Sequence, residues 1–413
     1  MAGSVLIVGA GISGLSAAEW LRRDGWQVTL IDPVRPGDSE QASFGNAGLI
    51  ARTSVLPVAT PALVRKAPLM ALDPASPLFL RWSYLPRLLP WLVPFLSNAG
   101  TGKIREIATT LSSLTFDATE QHVALSKGTG ADAHIASGDY VTLYATRADY
   151  EGDTLTNEIR RQFGIVPTAL TRQQLEERDP HLGPAYQFGT LFTDFCWLTS
   201  PSKYVAALFD HLCREGAAYR QARVVDMVAG ERPSVTLEGG ETLVADKVVL
   251  TAGAWSGRLA RAMGVPTKLE AERGYHVAMH APSFTAPHPY MVTDAKCVVT
   301  PMDGFLRAAG VVEFAGIDAP PSPAPVKLIE AAMRKLYPGL SFERSESWMG
   351  RRPTTPDSLP AIGEAASAPN VIHAYGGQHV GMTIGPKLGR LVADLARRRP
   401  VNLDLTACRP DRF

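Results

Sequence analysis

Apolar and polar positions alternate along this chain in segments whose periods name the elements. Val5 to Val8 is an unbroken apolar run, the pattern of a strand buried on both faces, and beyond Gly9, Gly11 and Gly14 helical spacing takes over at Leu15, Ala18 and Leu21. Gly25 ends that helix, and Val28 to Ile31 reads as a second buried strand with Asp32 at its carboxyl end. One long amphipathic helix is expected from Lys103 to Leu125 on Ile104, Ile107, Leu111, Leu114, Ala118 and Leu125, closed by Gly128. Tyr140 to Tyr144 alternates as a strand, and Tyr150 to Phe163 and Ser200 to Arg214 read as helices, the latter with Pro201 in its first turn. Arg223 to Asp226, Ser234 to Glu238 and Thr242 to Ala245 are short strands, with a hairpin turn at Gly239 and Gly240. Lys247 to Thr251 is a buried strand running into the small residues of AGAWS. Gly264 to Ala281 and Cys297 to Phe314 are strand-rich. Prolines 320, 321, 323 and 325 read as a connector before a helix from Val326 to Leu336, and a last strand reaching Tyr375 precedes a helix from Gly381 to Arg397.

Residues 78–96 are the most apolar stretch. Their ten Leu, Val and Phe residues each favour insertion into a bilayer by about 0.3 to 0.6 kcal/mol, but a central arginine costs about 2.5 to 3.5. Arg81 and Arg87 therefore cancel the gain, and Pro86, Pro90 and Pro94 are expected to break the helix, so the stretch does not span a membrane. Leu85, Leu88, Leu89, Leu92 and Leu96 still share one helical face. That face either packs into a second domain or lies on a bilayer surface, with Trp82 and Trp91 as interfacial anchors.

Strand, glycines, helix, stop, strand and acid, in that order, form a dinucleotide-binding fingerprint. Gly9 permits the sharp turn, Gly11 lets a pyrophosphate approach the helix N-terminus, and Gly14 allows close packing of helix on strand. Ala10, Ile12 and Ser13 complete the loop, and Asp32 is placed to accept hydrogen bonds from an adenosine ribose. NAD and FAD share that half, so this stretch leaves them open. Composition narrows the rest: 413 residues, 46% hydrophobic and 20% charged, suit two soluble domains. A net charge of +1 argues against nucleic-acid binding, and four scattered cysteines suggest neither a disulfide framework nor a zinc site. The absence of room for a secretory leader before Val5 points to a cytoplasmic protein.

Four stretches together resemble the FAD-dependent D-amino-acid oxidase and dehydrogenase superfamily, which includes glycine and sarcosine oxidases. They are the fingerprint, SFGNAGL at 43–49, VVLTAGAWS at 248–256, and GRRPTTPDSLPAIG at 350–363 with GGQHVGMT at 376–383. The SFGNAG segment is most similar to the small D-amino-acid dehydrogenase branch. The resemblance implies an α/β protein with a discontinuous Rossmann-like FAD-binding domain at 1–77, 198–265 and 345–413. A second, α+β substrate domain built on an antiparallel sheet would hold 78–197 and 266–344. It settles FAD over NAD, and the absence of a cysteine between Trp348 and Arg352 implies that FAD is non-covalent. Where many of these dehydrogenases carry a GHG-type turn, this chain has Gly376, Gly377, Gln378 and His379. That variant is closer to relatives acting on cyclic amino acids such as D-proline or D-hydroxyproline.

The same resemblance supplies site residues. Ser43, Asn46, Ala47, Gly48 and Leu49 are candidates for flavin contact, as are Ala252, Gly253 and Trp255 at the strand end. Val224 and Val225 are expected near the adenosine. Gly350 and Arg351, then Gly377, Gln378, Val380, Gly381, Met382 and Thr383, are expected around the ring, where the last helix's N-terminus would favour negative charge. Arg352 matches the arginine that binds the substrate carboxylate, a role suited to its planar, bidentate geometry. Tyr275 is a candidate hydroxyl donor to that carboxylate, Arg307 a second cation, and His379 a contact to substrate or flavin. The implied activity is oxidative deamination of a D-amino acid by hydride transfer to flavin N5, with electrons passed to a quinone or other carrier. Two alternatives stand beside it: an O2-using glycine or sarcosine-type oxidase, and a non-catalytic flavoprotein subunit. The partners expected are a small amino acid and an electron acceptor, with peripheral membrane contact through 78–96 as the second outcome for that stretch.

Overall fold

The computed structural model describes residues 3–73 and 76–413. The apolar run Ser4–Val8 is the centre of a six-stranded sheet, ordered Ala361–Ala365, Ala368–Tyr375, Lys247–Leu250, Ser4–Val8, Gln27–Asp32 and Ala218–Gln221. All neighbours are parallel except the first two, which form an antiparallel edge. Alternate side chains of the central strand explain its unbroken hydrophobicity. Val5 and Ile7 enter the core under the helices Ile12–Arg23 and Pro201–Arg214, while Leu6 and Val8 enter a second core against the small three-stranded sheet. Strands from both ends of the chain thus meet in one layer. The helix Gly381–Ala396 crosses Ile12–Arg23 closely because a Cβ at Gly389 would overlap the backbone of Ser16.

The second sheet has ten strands on its main path and side branches. Arg344–Thr354 pairs antiparallel with Glu270–His280, which pairs antiparallel with Phe305–Phe314. Beyond these lie Cys297–Met302, Tyr290–Val292, Ile135–Tyr144 and Phe188–Leu198, and Leu49–Ile50 from the N-terminal region pairs with the last. The helix Pro323–Leu336 covers the back of this sheet. It starts earlier than expected because Pro323 and Pro325 fit a first turn, where no N–H partner is needed.

Two segments and two helices differ from the sequence reading. Arg344–Thr354 belongs to the second sheet although 345–413 was expected wholly in the dinucleotide domain. The region 101–126, expected in the substrate domain, packs on the helix Gly381–Ala396 through Ile107, Leu111 and Leu114 against Ile384, Leu388 and Leu391, and through Ile104 and Ala108 against Ile159. An amphipathic pattern shows which face is buried, not against what. The long helix expected there is two, Thr101–Thr115 and Ala118–Ser126, and at the break Lys387 Nζ donates to Ser113 O and Asp117 Oδ1. The expected helix over 150–163 likewise divides, into Arg147–Gly152 and Thr154–Gln162, at Asp153.

The stretch 78–96 packs, and its prolines do not break it. The helix Leu85–Ser97 runs through Pro90 and Pro94. Four-residue spacing aligns each missing proline N–H with the carbonyl of the proline before it, so the lost bonds fall on one side while Leu88, Trp91 and Phe95 are buried on the other. Trp91 is a core residue rather than an interfacial anchor; its Nε1 donates to Thr354 O at 2.9 Å. Trp82, Leu89, Val93 and Leu96 remain exposed. No helix among the described residues is long and apolar enough to cross a membrane.

Four buried histidines make stability pH-dependent. Burial pushes His122, His288 and His373 down to about 4, and burial together with Arg307 pushes His276 to about 3. Their folded values lie below the unfolded value, so stability is complete above about pH 6.5 and falls as acid protonates the unfolded chain first. Between pH 7 and pH 5 the denaturation midpoint is expected to drop, each histidine contributing up to about 2 kcal/mol. A midpoint that is flat over that range would contradict the neutral, buried assignment.

Candidate active site

The fingerprint folds into a cradle through contacts that glycine alone permits. Gly9 sits at φ 99°, and a Cβ there would lie 2.5 Å from Thr251 O. A Cβ on Gly14 would overlap the carbonyl oxygen of Gly9. Gly11 differs, since the nearest atom to its Cβ position is Ser43 Oγ at 3.4 Å, so its bare side opens on the cavity instead. Ser43 Oγ accepts from Ile12 N, which ties the 43–48 loop to the helix start. Asp32 Oδ2 accepts from Ala10 N at 2.7 Å and from Gln41 Nε2 at 3.1 Å. Burial raises its carboxyl above the ordinary value, against these hydrogen bonds. Gln41 carried no signal in the sequence.

From this cradle a cavity of about 2120 Å³ extends under the second sheet. That exceeds the roughly 300–1,000 Å³ of a single drug-sized site and leaves room for a dinucleotide and a substrate. Gly9, Gly11, Ile12, Ser13 and Asp32 border it at one end, beside Val224 and Val225. Ser43, Asn46, Ala47 and Leu49 follow, then Ala252, Gly253 and Trp255. Gly350, Arg351, Arg352, Gly377, Gln378, His379, Gly381 and Met382 border it as well. Glycines opening onto the cavity, a buried acid at the second strand end and a helix N-terminus at Gly381 together fit FAD.

Several expected contacts are off that wall. Ala10 and Gly14 support the cradle from behind, and Gly48 N donates to Asn46 Oδ1 within its loop. Val380 is part of the core with Leu388, and Thr383 Oγ1 accepts from Ala51 N. Arg307 is no second substrate cation. Its Nη1 donates to Phe44 O and Asn46 O, and burial lowers its value to about 10. His276 Nδ1 donates to Gly45 O and Thr300 Oγ1 to Ala47 O, so three groups of the second sheet hold the 44–47 loop. Trp348 lies where a Cβ on either Gly45 or Gly350 would overlap its ring.

Glu272, also on the cavity wall, joins two expected residues. Arg352 Nη1 and His379 Nε2 each lie 2.8 Å from Glu272 Oε1. Glu272 is only 1% exposed; its burial would raise the carboxyl, but His379 and Arg352 outweigh that and hold it at about 2. Arg352 Nη1 also donates to Val311 O, and a Cβ on Gly274 would overlap the guanidinium. Neither Glu272 nor Gly274 was singled out from the sequence. The period of two in Glu270–His280 was the available signal, since it places both opposite the GRRP strand.

That same alternation removes Tyr275 from the clamp. It belongs to the core beneath Pro323–Leu336, its hydroxyl donates to Glu313 Oε2 and accepts from Ser322 N, and it has no free donor for a substrate. Arg351 turns to Ile317 O and lies over the Trp255 ring at 5.8 Å. Gln378 supports the glycine turn, Nε2 donating to Thr355 Oγ1. Gly377 allows that turn to close, since a Cβ there would lie 2.6 Å from Gly381 Cα.

Comparison with known proteins bears on the family and the fold. The FAD dependent oxidoreductase family profile matches residues 4–395. A D-amino-acid oxidase of Bradyrhizobium diazoefficiens is 35% identical over 99% of this chain and 98% of its own. A D-amino acid dehydrogenase of Paramagnetospirillum magneticum is 29% identical over the same shares. The crystal structure of glycine oxidase from Geobacillus kaustophilus superposes with a TM-score of 0.75 at 23% identity, covering 100% of this chain and 99% of that one.

Proposed function

The chain belongs to the FAD dependent oxidoreductase family and is an FAD-dependent amino-acid oxidoreductase, and from that premise we propose that it deaminates a D-amino acid, cyclic ones such as D-proline or D-hydroxyproline included. The observation that carries this reading is Arg352, whose guanidinium borders the cavity and shares Glu272 with His379. Bound FAD would supply the acceptor for the hydride equivalent that leaves the α-carbon; water then converts the imine of a linear substrate to keto acid and ammonia, whereas a cyclic substrate ends as the ring imine or its ring-opened amino keto acid, with no ammonia released. Arg352 binds the carboxylate in a fixed plane and so orients the α-carbon. The roof, with Trp348 packed against Gly45 and Gly350, limits the access of water. The amino end of Gly381–Ala396 faces the cavity and favours the negative charge that accumulates there during turnover.

The electron acceptor in this reading is a quinone or other carrier. Supporting it, the helices Pro61–Met70 and Leu85–Ser97 border the cavity and leave Leu69, Leu89, Val93 and Leu96 exposed, as is Trp82 in the turn before the second, with Arg65, Lys66, Arg81 and Arg87 also at the surface. An apolar and basic surface of this kind suits peripheral contact with an anionic bilayer, where a quinone resides. Reduced enzyme is expected to be reoxidised rapidly by a soluble quinone and slowly by O2. Rapid peroxide formation would replace the carrier by O2, the outcome favoured by the similarity to a D-amino-acid oxidase.

A further inference from the structure

We propose that His379 accepts the proton of the substrate ammonium at Nδ1, and that Glu272 is the positioning residue that makes this transfer feasible inside the cavity. This rests on the reading above, in which an amino acid occupies the space bordered by Arg352 and His379. Three observations carry it. Arg352 Nη1 and His379 Nε2 share Glu272 Oε1, each at 2.8 Å, so they are at most twice that distance apart, the scale of one amino-acid head group. His379 is 38% exposed on the cavity wall, and among the described residues no protein group partners its Nδ1. With Nε2 2.8 Å from a carboxylate, a neutral ring that keeps its proton on Nε2 leaves the Nδ1 lone pair free.

The charges balance through the step. Arg352 offsets the substrate carboxylate, and the ammonium is the cation left over beside Glu272. Breaking one ammonium N–H bond leaves its electron pair on the substrate nitrogen, while the proton forms an Nδ1–H bond. The contact between His379 and Glu272 then becomes an ion pair at the same distance, so no unpaired charge is created in the low-dielectric site. The charged groups against His379 are Glu272 from the Glu270–His280 strand and Arg352 from Arg344–Thr354; its neighbours Gln378, Val380, Gly381 and Met382 are uncharged. The neutral amine is the form that can lose hydride from its α-carbon, which is why the site needs an acceptor for that proton.

The test is anaerobic stopped-flow reduction of the holoenzyme across pH, for wild type, His379→Asn and Glu272→Gln. In wild type the rate constant for flavin reduction is expected to fall in acid, where an acceptor already filled by a solvent proton cannot take the one from the ammonium. In His379→Asn it is expected to fall about 100-fold at neutral pH. It should recover in alkali, where the free amine exists without an acceptor, and added imidazole should restore part of it. Glu272→Gln is expected to slow reduction about tenfold while a simple carboxylate inhibitor binds equally or more tightly, because Arg352 loses its internal counter-charge. A merely structural Glu272 would weaken inhibitor binding as well, and that result would overturn its positioning role. An unchanged rate and pH profile in His379→Asn would overturn the proposal while leaving amino-acid oxidation intact. Failure of every amino acid to reduce wild-type flavin at any pH would instead remove both.

Discussion

Replacing Arg352 by methionine is expected to lower kcat/KM for amino-acid substrates by roughly 10²- to 10³-fold, or about 3–4 kcal/mol, the scale for truncating one partner of a buried charge pair. The guanidinium borders the cavity, and Glu272 loses one of its two partners in the variant. Flavin content is expected to persist, because the cradle is made by other segments. Arg352→Lys keeps the charge but not the planar pair of donors, so it should recover only a small part of the loss. Steady-state kinetics with flavin content measured in parallel check this. A variant with wild-type kcat/KM would mean that the carboxylate is bound elsewhere.

Two alanine substitutions in the fingerprint are expected to separate folding from cofactor binding. Gly14→Ala places a Cβ inside contact distance of the Gly9 carbonyl and 2.9 Å from Thr251 Oγ1, and neither the turn nor the strand behind it can move without disturbing the central sheet. It is expected to yield insoluble protein. Gly11→Ala meets nothing closer than Ser43 Oγ at 3.4 Å, so the chain should fold normally and lose affinity for FAD by at least tenfold, because the methyl group occupies space needed by the pyrophosphate. Soluble yield, circular dichroism and flavin absorbance give the answer. Equal behaviour of the two variants would contradict the assignment of Gly11 to the cofactor and Gly14 to packing.

The sequence made the dinucleotide cradle legible because its signals are local. A buried strand, three glycines and an acid at fixed spacing each have one physical reason, and all of them reappear in register in the first sheet. Arg352 and His379 became candidates only through resemblance, since nothing in their own neighbourhood distinguishes a clamp from a surface charge. Glu272 was not legible at all. Its importance arises from Arg344–Thr354 pairing with Glu270–His280, a contact between segments far apart in the chain, and from the alternation that puts Tyr275 on the opposite face. Arg307 was misread for a similar reason: a charged residue in a strand can face a loop instead of a ligand, and here two backbone carbonyls occupy it. The prolines of 86–94 show the limit of a local rule, because their four-residue spacing concentrates the lost hydrogen bonds on one side of a helix that packing stabilises from the other.

The central claim is that this cavity oxidises a D-amino acid held by its carboxylate. Anaerobic titration of the purified flavoprotein with enantiomeric pairs of amino acids, linear and cyclic, tests it most directly. Bleaching of the flavin absorbance by D-enantiomers, with loss of that response in Arg352→Met, is the expected result; bleaching by L-enantiomers alone, or by none of the amino acids, would contradict it.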